Sequence, residues 1–255
     1  MSLKDFWTNE NNPSLPKSEY LYNFRHIFVL VLTVALCVTL TLLFRKKSYR
    51  IKSILLYVFG GVFLFFEIVS RMVELIILKQ YTWLNFFEVM LPMHICSVMV
   101  WVIIFAIYTR KQFLLNFACI GGLIATIAFL LYPAVGLNRT YMSFTCLYST
   151  ISHTLGFVCC VLFITLGFVK FEFKKMWQPI VCFATMFAWG AICNFIIFPG
   201  NVENYMYMIE DPLGLNLNFP YQILYIAILL VYTSIFYVVY WLKNLIKNRK
   251  KKTSK

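Results

Sequence analysis

Charge is what this sequence has least of. Only 13% of its 255 residues are charged, 61% are hydrophobic, and the mean hydropathy is +0.77. Soluble domains are closer to about half apolar and about a quarter charged. A domain this apolar could not cover its surface with polar side chains, so a water-soluble fold is excluded and lipid is the solvent. Other absences narrow the class further. No pair among the eight cysteines has CxxC spacing, and the adjacent Cys159 and Cys160 point to different helix faces, which excludes a disulfide framework and a zinc site. Most of the cysteines are expected to be small packing residues. No His, Cys and carboxylate set stands at ligand spacing, so neither metal nor cofactor is expected. There is no internal repeat, no second soluble domain and no low-complexity tract beyond a lysine-rich tail. The first apolar run follows a polar stretch holding Pro13 and Pro16, and no small-x-small site follows it. It is therefore expected to stay as a helix and not to be removed as a leader.

What is present is a series of long apolar runs. A helix needs about 20 mostly apolar residues to cross the hydrocarbon. Seven runs qualify, at 26–44, 52–76, 88–108, 112–132, 149–169, 177–197 and 219–241. The expected fold is all-α, a polytopic membrane bundle of seven transmembrane helices forming one domain over residues 1–255, with a basic tail from 243.

The net charge of +13 is distributed in a way that argues against nucleic acid. Arg45, Lys46, Lys47, Arg50 and Lys52 separate the first two runs, Arg110 and Lys111 the next pair, and Lys170, Lys174 and Lys175 the fifth and sixth. Lys243, Lys247, Arg249, Lys250, Lys251, Lys252 and Lys255 form the tail. These 17 lie on one side, and only Lys4, Lys17, Arg25, Lys79 and Arg139 lie on the other. The asymmetry is the positive-inside pattern. It implies a cell-membrane protein with its amino terminus outside and its tail in the cytoplasm, where the lysines meet anionic lipid headgroups. An odd number of spans agrees with ends on opposite sides. The oligomeric state is not encoded.

Polar residues inside membrane helices are costly and are default functional candidates. Taking each run's midpoint as the bilayer centre, Glu67, Arg71 and Glu74, His94 and Cys96, His153, Asn194 and Gln222 all fall in the outer half. Asn116 is an inner exception. This pattern predicts a polar pocket that opens toward the outer leaflet or the outside. Glu67, Arg71 and Glu74 follow i, i+4, i+7 spacing and share one face. They form either an ion-pair stripe that ties the second helix to its neighbours, or a clamp in which Arg71, able to pair with either carboxylate, grips an anionic headgroup while a carboxylate holds the Arg in place.

A cysteine nucleophile needs a base, because the thiolate is the reacting form. His94 and Cys96 are two residues apart and point to nearly opposite sides of a regular helix, so the base for Cys96 must come from elsewhere. His153 is at suitable depth. His26, the remaining histidine, begins the first helix and looks interfacial. Depth alone makes this a weak signal with seven cysteines in helices.

At these residues a resemblance enters. Pro92-Met93-His94-Ile95-Cys96 resembles the P-x-H-x-C element of the YwaF-like integral membrane family, and Ser152-His153 resembles that family's S-H pair. Asn204-Tyr205-Met206-Tyr207-Met208 with Pro212 is similar to its N-Y-M loop, and Phe219-Pro220-Tyr221 to the aromatic-proline-aromatic entry of the last helix. A eukaryotic branch of that family transfers acyl chains between phospholipids. The resemblance implies a catalytic pair of Cys96 and His153, acting on membrane lipid.

Two functions therefore stand as expectations. The first is an outer-leaflet phospholipid acyltransferase or lipid hydrolase. Cys96 is the nucleophile and His153 the base, Asn194 or Asn204 donates to the oxyanion, and Arg71, Glu67 and His94 line the substrate site. The alternative is a small-solute or lipid transporter or binding protein without catalysis. The paired broken helices and inverted repeat usual for secondary transporters are missing. Finally, residues 198–218 carry no Lys or Arg and hold Tyr205, Met206, Tyr207 and Met208 in a row. They are expected to form an ordered cap with Asn204 buried, since exposing four such side chains is unfavourable.

Overall fold

The computed structural model describes residues 6–7, 12–77, 86–87, 90–92, 94–133, 136–199, 205–209 and 220–253. The longer helices are α1 (Phe24–Phe44), α2 (Tyr49–Ile77), α3 (Ile95–Thr109), α4 (Gln112–Leu131), α5 (Phe144–Thr165), α6 (Trp177–Ile192) and α7 (Tyr221–Thr253). Among the described residues there is no strand, only one isolated bridge between Ser14 and Arg139. Among the described residues, six helices are long and apolar enough to cross a membrane. The third run is the one that falls short, because α3 has 15 residues. It starts after Pro92, which disfavours helix in the residue before it.

Helix ends follow local chemistry more closely than hydropathy. Asn23 caps α1 by accepting from His26 N at 3.0 Å, and Ser143 caps α5 by accepting from Cys146 N at 3.4 Å. The α5 cap starts the helix five residues ahead of the hydropathy limit, so Cys146 lies in its first turn and not in a loop. At the other end Gly167, with φ 82, lets Phe168 N donate to Phe163 O at 2.9 Å. This is the Schellman stop, and it ends the helix before residue 169. α7 runs well past 241 to Thr253, since a lysine-rich helix can continue in water once it leaves the hydrocarbon.

The chain divides into two compact units, Met1–Pro92 with Cys96–Phe168, and Met93–Ile95 with Val169–Lys255. In the first, α5 is the element against which α1, α2 and α4 all pack. Small residues make that closeness feasible, as is usual where the hydrophobic effect cannot press helices together. A Cβ on Gly122 would sit 2.6 Å from Cys160 Sγ, and one on Gly156 would sit 3.0 Å from Thr126 Cγ2. The Cys160 thiol donates to Ala118 O at 3.3 Å. All eight cysteines are free.

The amino-terminal segment is sewn to residues 137–141 at one end of this unit. Leu15 N donates to Asn138 O at 2.7 Å and Thr140 N to Pro13 O at 3.2 Å. The Asn12 amide copies a strand pair with its side chain, donating to Tyr141 O at 2.8 Å and accepting from Tyr141 N at 2.9 Å. His26, at the start of α1, is buried within the protein. Its Nδ1 accepts from Tyr22 N at 2.9 Å and its Nε2 faces Leu130 O at 2.7 Å. A carbonyl only accepts, so the proton is on Nε2 and this imidazole is fully used as a structural clasp.

In the second unit α6 runs into a π-helical turn, Cys193–Ile197. Phe171 packs at the edges of Tyr237 and Tyr240, ring centroids 5.2 Å away in both cases.

Candidate functional site

Glu67 sits on α2 with no solvent exposure. A buried carboxylate must be paired and hydrogen-bonded, and this one is. Arg71 donates to Glu67 Oε1 through Nε at 3.0 Å and through Nη2 at 2.9 Å. The hydroxyl of Tyr148, on α5, donates to Oε2. Glu74 stands 3.9 Å from Arg71 Nη1. The stripe foreseen on one face of α2 is therefore a chain of pairs, and Tyr148 joins it to α5. Tyr148 was missed at the sequence level. Its signal was its position: it precedes Ser152 by one helical turn on the same face of α5, at the same end as His153.

Cys96 and His153 both pack against α4. Cys96 Sγ lies 4.0 Å from Ala125 O, and the His153 ring stacks on Phe129, centroids 3.9 Å apart and planes inclined by 13°. Ala125 and Phe129 are four residues apart on α4 and so lie one above the other on one face. Thiol and imidazole thus dock on adjacent turns of the same helix face, although no hydrogen bond joins them directly. The orientation of His153 is also set. Its Nδ1 stands 2.7 Å from Ser149 O, and because that carbonyl can only accept, Nδ1 carries the proton. Nε2 keeps its lone pair and is the basic atom of the ring. Both residues are only half-buried. Ser152, beside His153, has a buried hydroxyl one helical turn from Tyr148, which it faces.

His94 and Asn194 belong to the second unit and meet around Tyr205 there. The His94 ring is 5.3 Å from the Tyr205 ring. The Asn194 amide donates to Tyr205 O at 2.9 Å and accepts from Tyr205 N at 3.1 Å. A π-helical turn carries Asn194, a distortion that often marks functional positions. Gln222 Nε2 donates to Met208 O at 3.1 Å. Tyr205 and Met206 are buried, with Met206 at a left-handed φ of 54. Gly190 makes room for it, since a Cβ there would lie 2.5 Å from Met206 Cγ. The described part of the expected cap, 205–209, is thus held by side chains of two helices. Asn204, its expected burial and its oxyanion role lie outside the described residues. Among the described residues no cluster of three His, Cys, Asp or Glu could hold a metal.

Several long apolar helices, with an internal ion pair and a thiol and an imidazole on one helix face, define a multi-pass α-helical membrane protein. The profile of one family matches residues 21–243. The chain belongs to the TMEM164 family. No curated protein and no solved structure matches it.

Proposed function

We propose that the protein is a membrane-embedded acyltransferase or lipid hydrolase acting on phospholipid from the outer leaflet, with the amino terminus outside and the basic tail in the cytoplasm. The observation that carries this reading is the shared face of α4, where Cys96 and His153 dock one turn apart and His153 Nδ1 is taken up by Ser149 O, which leaves Nε2 as the ring nitrogen available to act as base. His153 Nε2 takes the thiol proton as sulfur attacks an acyl ester carbonyl. A thioester forms, and the proton passes to the departing lysolipid alcohol. A second alcohol, or water, then takes the acyl group from sulfur, and the same imidazole carries the proton in reverse. Arg71, steadied by Glu67, holds the lipid phosphate. The resemblance to the YwaF-like family supports the pairing of these two residues.

The test uses purified protein and a phospholipid labelled in its acyl chain. Cys96→Ser and His153→Ala should each abolish transfer and hydrolysis while the protein still elutes as a folded species. Label should be trapped on wild-type protein as a thioester that neutral hydroxylamine releases. Transfer that survives both changes would sink the mechanism. Tolerance of Cys96→Ser together with unchanged lipid or solute binding would instead favour a carrier or binding protein.

A further inference from the structure

Arg110 and Lys111 make the short turn between α3 and α4, at the end of the first unit that holds the basic loops. Arg110 has a left-handed φ of 56. Its guanidinium carbon lies 4.8 Å from the centroid of the Tyr57 ring and 4.6 Å from that of Phe168. Phe168 is delivered there by the Schellman stop at Gly167. Nη2 reaches Ser53 O at a long 3.4 Å. Nε and Nη1 are buried and have no hydrogen-bond partner. Ring faces attract the cation, but they do not satisfy the N–H donors, which lie in the guanidinium plane.

A largely buried cation with unmet donors is expensive, and a carboxylate is the usual remedy. The first unit has none to offer at this end. Its acidic residues are Asp5, Glu10, Glu19, Glu67, Glu74 and Glu88, and none lies in 45–51, 109–111 or 166–168. The charges that the first unit itself places at this end are positive. Lys52 Nζ lies 3.4 Å from Leu166 O, and Lys111 starts α4 without a side-chain cap, so first-turn amides of that helix are also unmet. Tyr57 and Tyr108 stack at this level with centroids 5.8 Å apart, and both are exposed, as tyrosines at a membrane–water boundary are. The abundant anion at that boundary is lipid phosphate.

We propose that Arg110 anchors a binding site for the phosphate of an anionic lipid headgroup, completed by Lys52, Lys111 and the uncapped start of α4. Arg suits the task because its planar fork matches phosphate oxygens. The site is at the basic end of the unit and does not depend on the acyl-transfer reading.

The test is native mass spectrometry of the full chain in a phosphate-free maltoside detergent. Lys250, Lys251 and Lys252 are changed to Gln in every sample to silence the tail. Phosphatidylglycerol is titrated against a diacylglycerol of the same chains and against inorganic phosphate. Phosphatidylglycerol should bind, and diacylglycerol should bind at least about tenfold more weakly. Arg110→Gln should weaken phosphatidylglycerol about tenfold, and Arg110→Lys, which keeps charge without the fork, should fall between. If Arg110→Gln does not fold, Arg110→Lys alone carries the comparison. Wild-type affinity in whichever variant folds would overturn the site. Full competition by inorganic phosphate at equal concentration would overturn the lipid as its source.

Discussion

The imidazole of His153 lies flat on the ring of Phe129, 3.9 Å between centroids, and its Nδ1 is tied to Ser149 O at 2.7 Å. One contact fixes the plane of the ring and the other fixes which nitrogen is basic. If His153 is the base, Phe129 is a positioning residue. Phe129→Leu keeps an apolar side chain of similar reach and removes the flat platform. It should lower turnover of labelled phospholipid about tenfold while KM stays near its wild-type value. A rise in KM with unchanged kcat would assign Phe129 to lipid packing instead.

Glu67 is buried between two partners, and removing either partner should be felt. Glu67→Gln deletes the charge that faces Arg71 and should destabilise the protein by about 2–3 kcal/mol, discounted because Arg71 is partly exposed. Tyr148→Phe leaves Oε2 without its donor and should cost about 1–2 kcal/mol. The double change should cost less than the sum, since both act on one carboxylate. Unfolding in graded denaturing detergent reads all three. Full additivity would mean that Tyr148 and Glu67 act independently.

The α4–α5 contact is tightest at Gly122. Gly122→Ala forces a methyl to within 2.6 Å of Cys160 Sγ and should destabilise by about 1–3 kcal/mol. Adding Cys160→Ala removes the sulfur and should restore most of the loss. A thermal midpoint that fails to recover would show that the strain lies in the helix backbone and not in this pair.

The charge asymmetry predicts sidedness. Reporter fusions at Lys47 and at Asn204 should report opposite sides, with Lys47 cytoplasmic. The same side for both would refute the orientation.

Much of the architecture is legible in the sequence. Six of the seven apolar runs reappear as helices long enough to cross a bilayer, because about 20 apolar residues in a row have few other stable fates. Their ends were less legible. Ser143 begins α5 early and Gly167 stops it, and those are matters of capping, which hydropathy does not weigh. α3 came out short after Pro92. Of the site, the Glu67–Arg71–Glu74 stripe was visible as helical spacing. Tyr148 was not, because nothing in a list of depths says which tyrosine turns toward a carboxylate 81 residues away. Nor does the sequence say that both nitrogens of His26 are taken up by backbone groups, one of them 104 residues away.

By itself, then, the sequence determined that the chain lives in lipid, roughly where it crosses, and which few polar side chains it takes in with it. Each follows from the cost of exposing apolar surface to water or polar groups to hydrocarbon. Only the tertiary structure decided which of those polar groups meet: Tyr148 on Glu67, His153 and Cys96 on one face of α4, Asn194 on Tyr205, Arg110 between two rings. The reason lies in the solvent. In water a helix announces its buried face by being apolar there, but in a bilayer the lipid-facing side is as apolar as the packed side. The rotation of each helix is therefore set by small residues, caps and hydrogen bonds to distant parts of the chain, which have meaning only once the helices are assembled.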